Sequence, residues 1–125
     1  MKTGKKKVLL LDDEPIVCER LKPALEKVGF YVESYTDGQD VVDRVMQEHF
    51  DVLVTDLKMQ KPDGLEVMAF VREHSPRTKV IIITGFATVE AATETLRSGA
   101  VDFIAKPFKI RELRDRIVEL TRDED

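Results

Sequence analysis

The strongest constraint in this sequence is an alternation. Five short apolar runs are each followed by a longer segment of helical period. The runs fall at residues 8–11, 31–35, 52–54, 80–83 and 101–104. The first, third and fourth carry no polar alternation, so they predict strands buried on both faces. The second alternates as an edge strand does, and the fifth is mixed. Helical spacing puts Ile16, Val17, Leu21, Leu25 and Val28 on one face of 15–28, and Val41, Val42, Val45 and Met46 on one face of 38–48. Leu65, Met68 and Val71 do the same in 64–74, and Ile110, Leu113, Ile117 and Leu120 in 109–120. Segment 88–98 is weaker, with only Val89, Ala92 and Leu96. Pro23 has no amide proton and crowds the carbonyl of Glu19, which predicts a kink inside 15–28. Gly29 and Gly99 each follow a helix, where glycine takes a left-handed C-terminal turn. Strand–helix repeated five times predicts an α/β domain with a parallel sheet and right-handed crossovers.

Composition narrows the class. The 125 residues make one domain. A single cysteine, Cys18, excludes an internal disulfide framework. Acids exceed bases by 24 to 20, which argues against a general nucleic-acid binder with a basic face. Apolar residues at 42% argue against disorder. Lys2, Lys5, Lys6 and Lys7 precede an apolar run too short for a signal sequence or a membrane helix. The expectation is a cytoplasmic domain over 6–120 with no membrane contact. A basic flexible N-terminus covers 1–5, and a polar tail or the start of a linker covers 121–125.

In an open parallel sheet, functional groups gather beyond the carboxyl ends of the strands. There the sequence places Asp12, Asp13 and Glu14, then Asp56, then Thr84-Gly85, then Lys106-Pro107. Each has an ordinary use on its own. Asp12 or Asp13 suits a helix N-cap before Pro15, Thr84 a cap for the helix near Thr88, Asp56 a loop acid and Lys106 a surface lysine. Thr36-Asp37-Gly38, after the second strand, reads as a turn and a helix cap. Together, Asp12, Asp13, Asp56, Thr84 and Lys106 suit one reaction.

Two like unit charges about 4 Å apart repel by about 4 kcal/mol at an effective dielectric of about 20. Three clustered carboxylates therefore call for a cation beside Lys106. Hard oxygen donors without His or Cys favour Mg²⁺, with Mn²⁺ as the alternative. Mg²⁺ held by few carboxylates suits phosphoryl chemistry, and a carboxylate can itself accept the phosphoryl group. Asp56 stands alone after the third run and is the best acceptor, with Asp12 and Asp13 as a metal pair. The Thr84 hydroxyl and Lys106 are placed to bind phosphoryl oxygens.

These motifs, in this order and spacing from about residue 6 to residue 120, resemble the receiver domain of two-component response regulators. The resemblance implies a doubly wound, flavodoxin-like (βα)5 fold with strand order 2-1-3-4-5. It implies that Asp56 accepts a phosphoryl group from a sensor histidine kinase or phosphotransfer protein. It further implies that Asp13 and Asp56 bind Mg²⁺ directly, Lys58 through its backbone carbonyl and Asp12 through water. Phe103 becomes a switch aromatic that turns inward as Thr84 moves; without the family it reads as a core aromatic. Residues 84–108 would carry the switch to an output domain or partner, with residues 88–120 as the output or homodimer face and helix 15–28 toward the kinase. The domain would catalyse only its own phosphorylation and dephosphorylation, and would bind no nucleic acid itself. Residues 84–90 resemble receivers joined to sigma-54-dependent transcription activators.

One stretch departs from the family. Receivers usually place proline directly after the methionine of this loop, whereas here Met59 is followed by Gln60 and proline comes at Pro62. Two other functions fit parts of the pattern. A Mg²⁺ phosphatase or nuclease typically needs a second acid two residues past its nucleophile, where this chain has Lys58. A receiver-like module that works without phosphorylation usually loses an acid or the lysine, and here both are present. Cys18 reads as a small buried helix residue, and His49 and His74 as helix-end cations. Met46, Met59 and Met68 read as packing residues.

Overall fold

A computed structural model describes residues 4–57 and 59–122. The expected chain ends fall partly outside this range, since residues 1–3 and 123–125 are not among the described residues. The expected role of the Lys58 carbonyl lies outside it as well.

Ten elements alternate in chain order. They are β1 (Lys7–Leu11), α1 (Pro15–Lys27), β2 (Tyr31–Tyr35), α2 (Gly38–Gln47), β3 (Val52–Asp56), α3 (Gly64–His74), β4 (Lys79–Thr84), α4 (Val89–Arg97), β5 (Asp102–Ala105) and α5 (Ile110–Leu120). The strands pair in parallel in the order β2-β1-β3-β4-β5, the flavodoxin-like arrangement. Thr121 is the C-cap of α5, and its hydroxyl donates to the carbonyl of Ile117 at 2.8 Å.

Alternate strand residues serve opposite layers. Val8, Leu10, Val54, Ile81 and Ile83 pack with Cys18, Leu21 and Leu25 of α1 and Leu113 and Ile117 of α5. Leu9, Leu11, Leu53, Val80 and Ile82 pack with Val41 of α2 and Val67, Met68 and Val71 of α3. Burying one such side chain contributes about 2 kcal/mol. The central strands β1, β3 and β4 bury nearly every residue and so hold the sheet rigid. That rigidity matters because the loops at their carboxyl ends carry the polar groups.

Several apolar residues expected on helix faces are exposed instead. Met46 of α2 is 63% exposed, and Ile16, Val28 and Leu96 also face solvent. Val28 stands at the C-cap of α1, beyond the helix itself. Val89, in the first turn of α4, is 80% exposed. Met68 is buried and Met59 half-buried, as expected of packing residues. α1 continues across Pro23. Gly29 and Gly99 adopt φ of 102° and 114°, the left-handed turns expected of them. His74 lies in the last turn of α3, and its Nδ1 is 3.0 Å from the carbonyl of Phe70. His49 follows the C-cap of α2, with Nε2 3.6 Å from Asp51.

The exposed edge at β2 is tied down by one carboxylate. Glu33 accepts from Arg44 Nε and Nη2, both at 2.8 Å, and from the hydroxyls of Tyr31 at 2.6 Å and Tyr35 at 2.7 Å. Arg44 holds the Glu33 carboxyl far below the usual range, at about 2, although partial burial opposes it. A depressed carboxylate pKa stabilises the fold above its unfolded value of about 4.5. That contribution is lost as pH falls toward 2. Glu33→Gln is expected to lower stability by about 1–2 kcal/mol at pH 7. The loss shrinks as pH falls from 4.5 to 2, which denaturant melts across that window will measure.

Candidate functional site

Parallel pairing brings four strand ends to one edge of the sheet. Leu11 of β1 lies beside Thr55 of β3, Asp56 beside Ile83 of β4, and Thr84 beside Ala105 of β5. The next residue of each strand or loop therefore emerges at the same edge. This is why Asp12, Asp56, Thr84 and Lys106 meet although up to 94 positions separate them in sequence.

Asp12 and Thr84 are fully buried and Asp56 is 7% exposed, while Asp13 faces solvent. Lys106 reaches them from the far side. Its backbone amide donates to the carbonyl of Thr84 at 2.8 Å, which fixes where the side chain starts. Its Nζ then lies 2.8 Å from Asp12 Oδ2, 2.8 Å from Glu14 Oε1 and 3.0 Å from Asp56 Oδ2. Burial works against the Lys106 charge, but Asp12, Glu14 and Asp56 outweigh it and raise its pKa above that of an ordinary lysine. For Asp12 burial is the largest influence and raises its carboxyl above the usual range, with Lys106 pulling it back. Lys106 lowers the pKa of Glu14.

The environment of Asp12 shows that Lys106 leaves the charge unfinished. Its Oδ1 accepts from the amide of Glu14 at 2.8 Å. Its Oδ2 is buried and receives no hydrogen bond among the described residues, with Lys106 standing 2.8 Å away as a close charge. One oxygen from each of Asp12, Asp13 and Asp56 lies within 4.8 Å of the others. An under-satisfied buried oxygen within an all-carboxylate set fits a hard divalent cation. This cluster could bind a metal ion.

The ordinary uses considered for these residues are taken by others. Glu14, not Asp12 or Asp13, is the N-cap residue of α1, and its side chain makes no capping bond. Thr88 caps α4 by accepting from the amide of Ala91 at 3.0 Å. Thr84 Oγ1 instead accepts from the amide of Phe86 at 3.0 Å and shapes the β4–α4 loop. Asp37 caps α2 as expected, accepting from Gln39 at 2.9 Å. Phe103 is half-buried on the sheet face that Val80 and Ile82 occupy, paired with Ile82 in register. Thr84 follows Ile82 by two residues and so shares that face.

The segment after Asp56 is pinned closely. The carbonyl of Asp56 accepts from the Thr55 hydroxyl at 2.9 Å, and the Leu57 amide donates to Ile83 at 3.2 Å. Gly64 comes so near that a Cβ there would lie 2.0 Å from the Asp56 carbonyl oxygen. Only glycine permits that approach. The unusual Gln60 and Pro62 lie in the loop that packs over α2, where the Pro62 carbonyl comes within 2.4 Å of where a Cβ on Gly38 would stand. A cavity of about 460 Å³ opens there between Asp13, Asp37, Gln60 and Lys61.

The contact of Glu14 with Lys106 was not foreseen from sequence. Its position directly after the acid pair was the only signal, and nothing in sequence gives its reach. Cys18 is buried, and burial followed by the charge of Asp12 pushes its thiol up to about 11, as suits a packed helix residue.

Comparison with known proteins agrees with this arrangement. Residues 8–118 match the family model described as the response regulator receiver domain. The regulatory protein AtoC of Escherichia coli K12 is 36% identical over 111 residues, which cover 89% of this chain and 24% of AtoC. The receiver domain of the Francisella response regulator 1452 is 31% identical, with a TM-score of 0.86 over 93% of this chain and 96% of that one. A CheY-like receiver domain protein from Methanospirillum hungatei is 28% identical, with a TM-score of 0.88 over 93% of each chain. The chain spans from about a quarter to about half of the length of the curated relatives it matches. Motifs, fold and relatives agree: the chain belongs to the response regulator receiver domain family and is a signalling domain of two-component systems.

Proposed function

We propose that Asp56 is the phosphoacceptor of this receiver, and that Thr84 and Lys106 bind the phosphoryl oxygens. The observation that carries this is the single ammonium of Lys106 drawn onto the buried Asp12 and Asp56 at 2.8 and 3.0 Å. An Asp56 oxygen attacks phosphorus, the bond from phosphorus to the donor breaks, and the donor group leaves with the electron pair. Lys106 stays within reach of oxygens on Asp56 throughout, so it neutralises charge without a proton transfer. Thr84 gives up its bond to the Phe86 amide and turns its hydroxyl to the phosphoryl group. Asp12, Asp13 and Asp56 would hold Mg²⁺, with Mn²⁺ as the substitute; when bound it supplies positive charge to the phosphoryl oxygens. The Lys58 carbonyl is proposed as a further ligand.

Phosphorylation adds nearly two negative charges and three acceptor oxygens. Release of the Thr84–Phe86 bond frees the β4–α4 loop, and Phe103, on the face of Thr84, takes the vacated room. The exposed Phe86, Val89, Leu96 and Val101 then form the apolar part of an output or homodimer surface. The phosphoryl donor is a sensor histidine kinase or phosphotransfer protein, and the domain turns over only its own phosphate. The relatives named as transcriptional regulatory proteins support an output in transcription control, and residues 84–90 suggest the sigma-54-dependent type. The location is cytoplasmic; no helix among the described residues is long and apolar enough to cross a membrane.

With acetyl phosphate and Mg²⁺, intact mass is expected to show one added phosphate on the wild type and none on Asp56→Asn. Equal uptake by both would remove Asp56 from this role. Asp13 is exposed and does not contact Lys106, so its charge costs the metal-free fold repulsion without a pairing gain. Asp13→Asn is expected to weaken Mg²⁺ binding by about tenfold or more, while metal-free stability holds or rises by up to about 1 kcal/mol. Titration calorimetry and urea melts in a chelator measure the two effects; destabilisation of the metal-free form would contradict the repulsion.

A further inference from the structure

If Asp56 accepts the phosphoryl group as proposed above, Lys106 must change partners. Its ammonium donates to Glu14 at 2.8 Å and to Asp56 at 3.0 Å, and stands 2.8 Å from Asp12 as a close charge. A phosphoryl oxygen on Asp56 competes with these carboxylates for the same positive charge. Asp12 cannot leave cheaply, since it is 1% exposed and anchored through the Glu14 amide. Asp56 becomes the phosphorylated group itself. Glu14 differs from both: its side chain is 62% exposed and can return to water. We propose that Glu14 is a placeholder, whose carboxylate occupies the Lys106 position that a phosphoryl oxygen takes, and so restrains phosphorylation.

Two further observations fit this role. Glu14 stands at the N-cap of α1 but makes no capping bond with its side chain, so that side chain serves Lys106 and not the helix. The Glu14 amide is bonded to Asp12 at 2.8 Å, so the backbone stays beside the site while the carboxylate swings away. Glu14 is therefore a positioning residue that acts through Lys106. The transfer itself is unchanged: an Asp56 oxygen–phosphorus bond forms, the bond to acetate breaks, and acetate leaves with the electron pair.

The test separates reach from charge. Glu14→Gln removes the charge, whereas Glu14→Asp keeps it one methylene too short to hold Lys106. Glu19→Gln, at an exposed position on α1, removes the same charge away from Lys106. Phosphorylation by acetyl phosphate with Mg²⁺ is followed by intact mass, and equilibrium binding of beryllofluoride by fluorine NMR. Glu14→Gln and Glu14→Asp are both expected to react faster and bind beryllofluoride more tightly, by about two- to fivefold, as suits release of an exposed ion pair. Glu19→Gln should match the wild type. The proposal is overturned if Glu14→Asp matches the wild type, or if Glu19→Gln gains as much as Glu14→Gln. Failure of the wild type to take phosphate on Asp56 would instead overturn the phosphoacceptor assignment, and with it this role.

Discussion

One ammonium holds the functional edge of this domain together. Lys106 lies within 3.0 Å of oxygens from Asp12, Glu14 and Asp56, two of them buried where unpaired charge is expensive. The pairing is incomplete by design of the surroundings. Asp12 Oδ2 has a charge beside it but no hydrogen bond, and Asp13 adds another carboxylate that Lys106 does not reach. A site with surplus negative charge and one fixed cation takes up a divalent ion more readily than a fully paired one. An ion held there would, with Lys106, supply the positive charge that the proposed phosphoryl transfer to Asp56 calls for. Breaking the lysine contact would leave buried carboxylates uncompensated, the most destabilising outcome for such a cluster.

The sheet makes this arrangement possible. Rigid central strands, packed on both faces by leucine, isoleucine and valine, end in register, so short polar extensions meet without long loops. Gly64 lets α3 begin against the Asp56 carbonyl, and the Lys106 amide is bonded to Thr84. Chain placed this firmly keeps the acids close despite their repulsion. The contrast is the β4–α4 loop, where the Phe86 amide donates to the Thr84 hydroxyl between a buried strand end and an exposed helix. Stability is concentrated where the chemistry needs it and sparse where movement is useful.

Much of this was legible in the sequence because the fold follows from period and order. Uninterrupted apolar runs gave the buried strands, and the alternating run at 31–35 gave the edge strand β2. Asp12, Asp13 and Asp56 could be grouped because parallel strand ends share an edge, and the structure brings one oxygen of each within 4.8 Å of the others. What stayed hidden depended on side-chain reach. Glu14 lies among acids in sequence, and only the path of the β5–α5 loop shows that Lys106 bonds it. Apolar period also overstated burial: Met46 and Val89 keep the spacing but are exposed. The Glu33–Arg44 pair joins β2 to α2 across 11 positions, and no local pattern announces it.

The most direct test is the site of phosphate attachment. Reduction of the acetyl-phosphate-treated protein with borohydride converts a phosphorylated aspartate to homoserine, which peptide mass spectrometry then locates. Homoserine at position 56 alone is the expected result. Homoserine at position 12 or 13, or at no aspartate, would contradict the assignment of Asp56 as the acceptor facing Lys106.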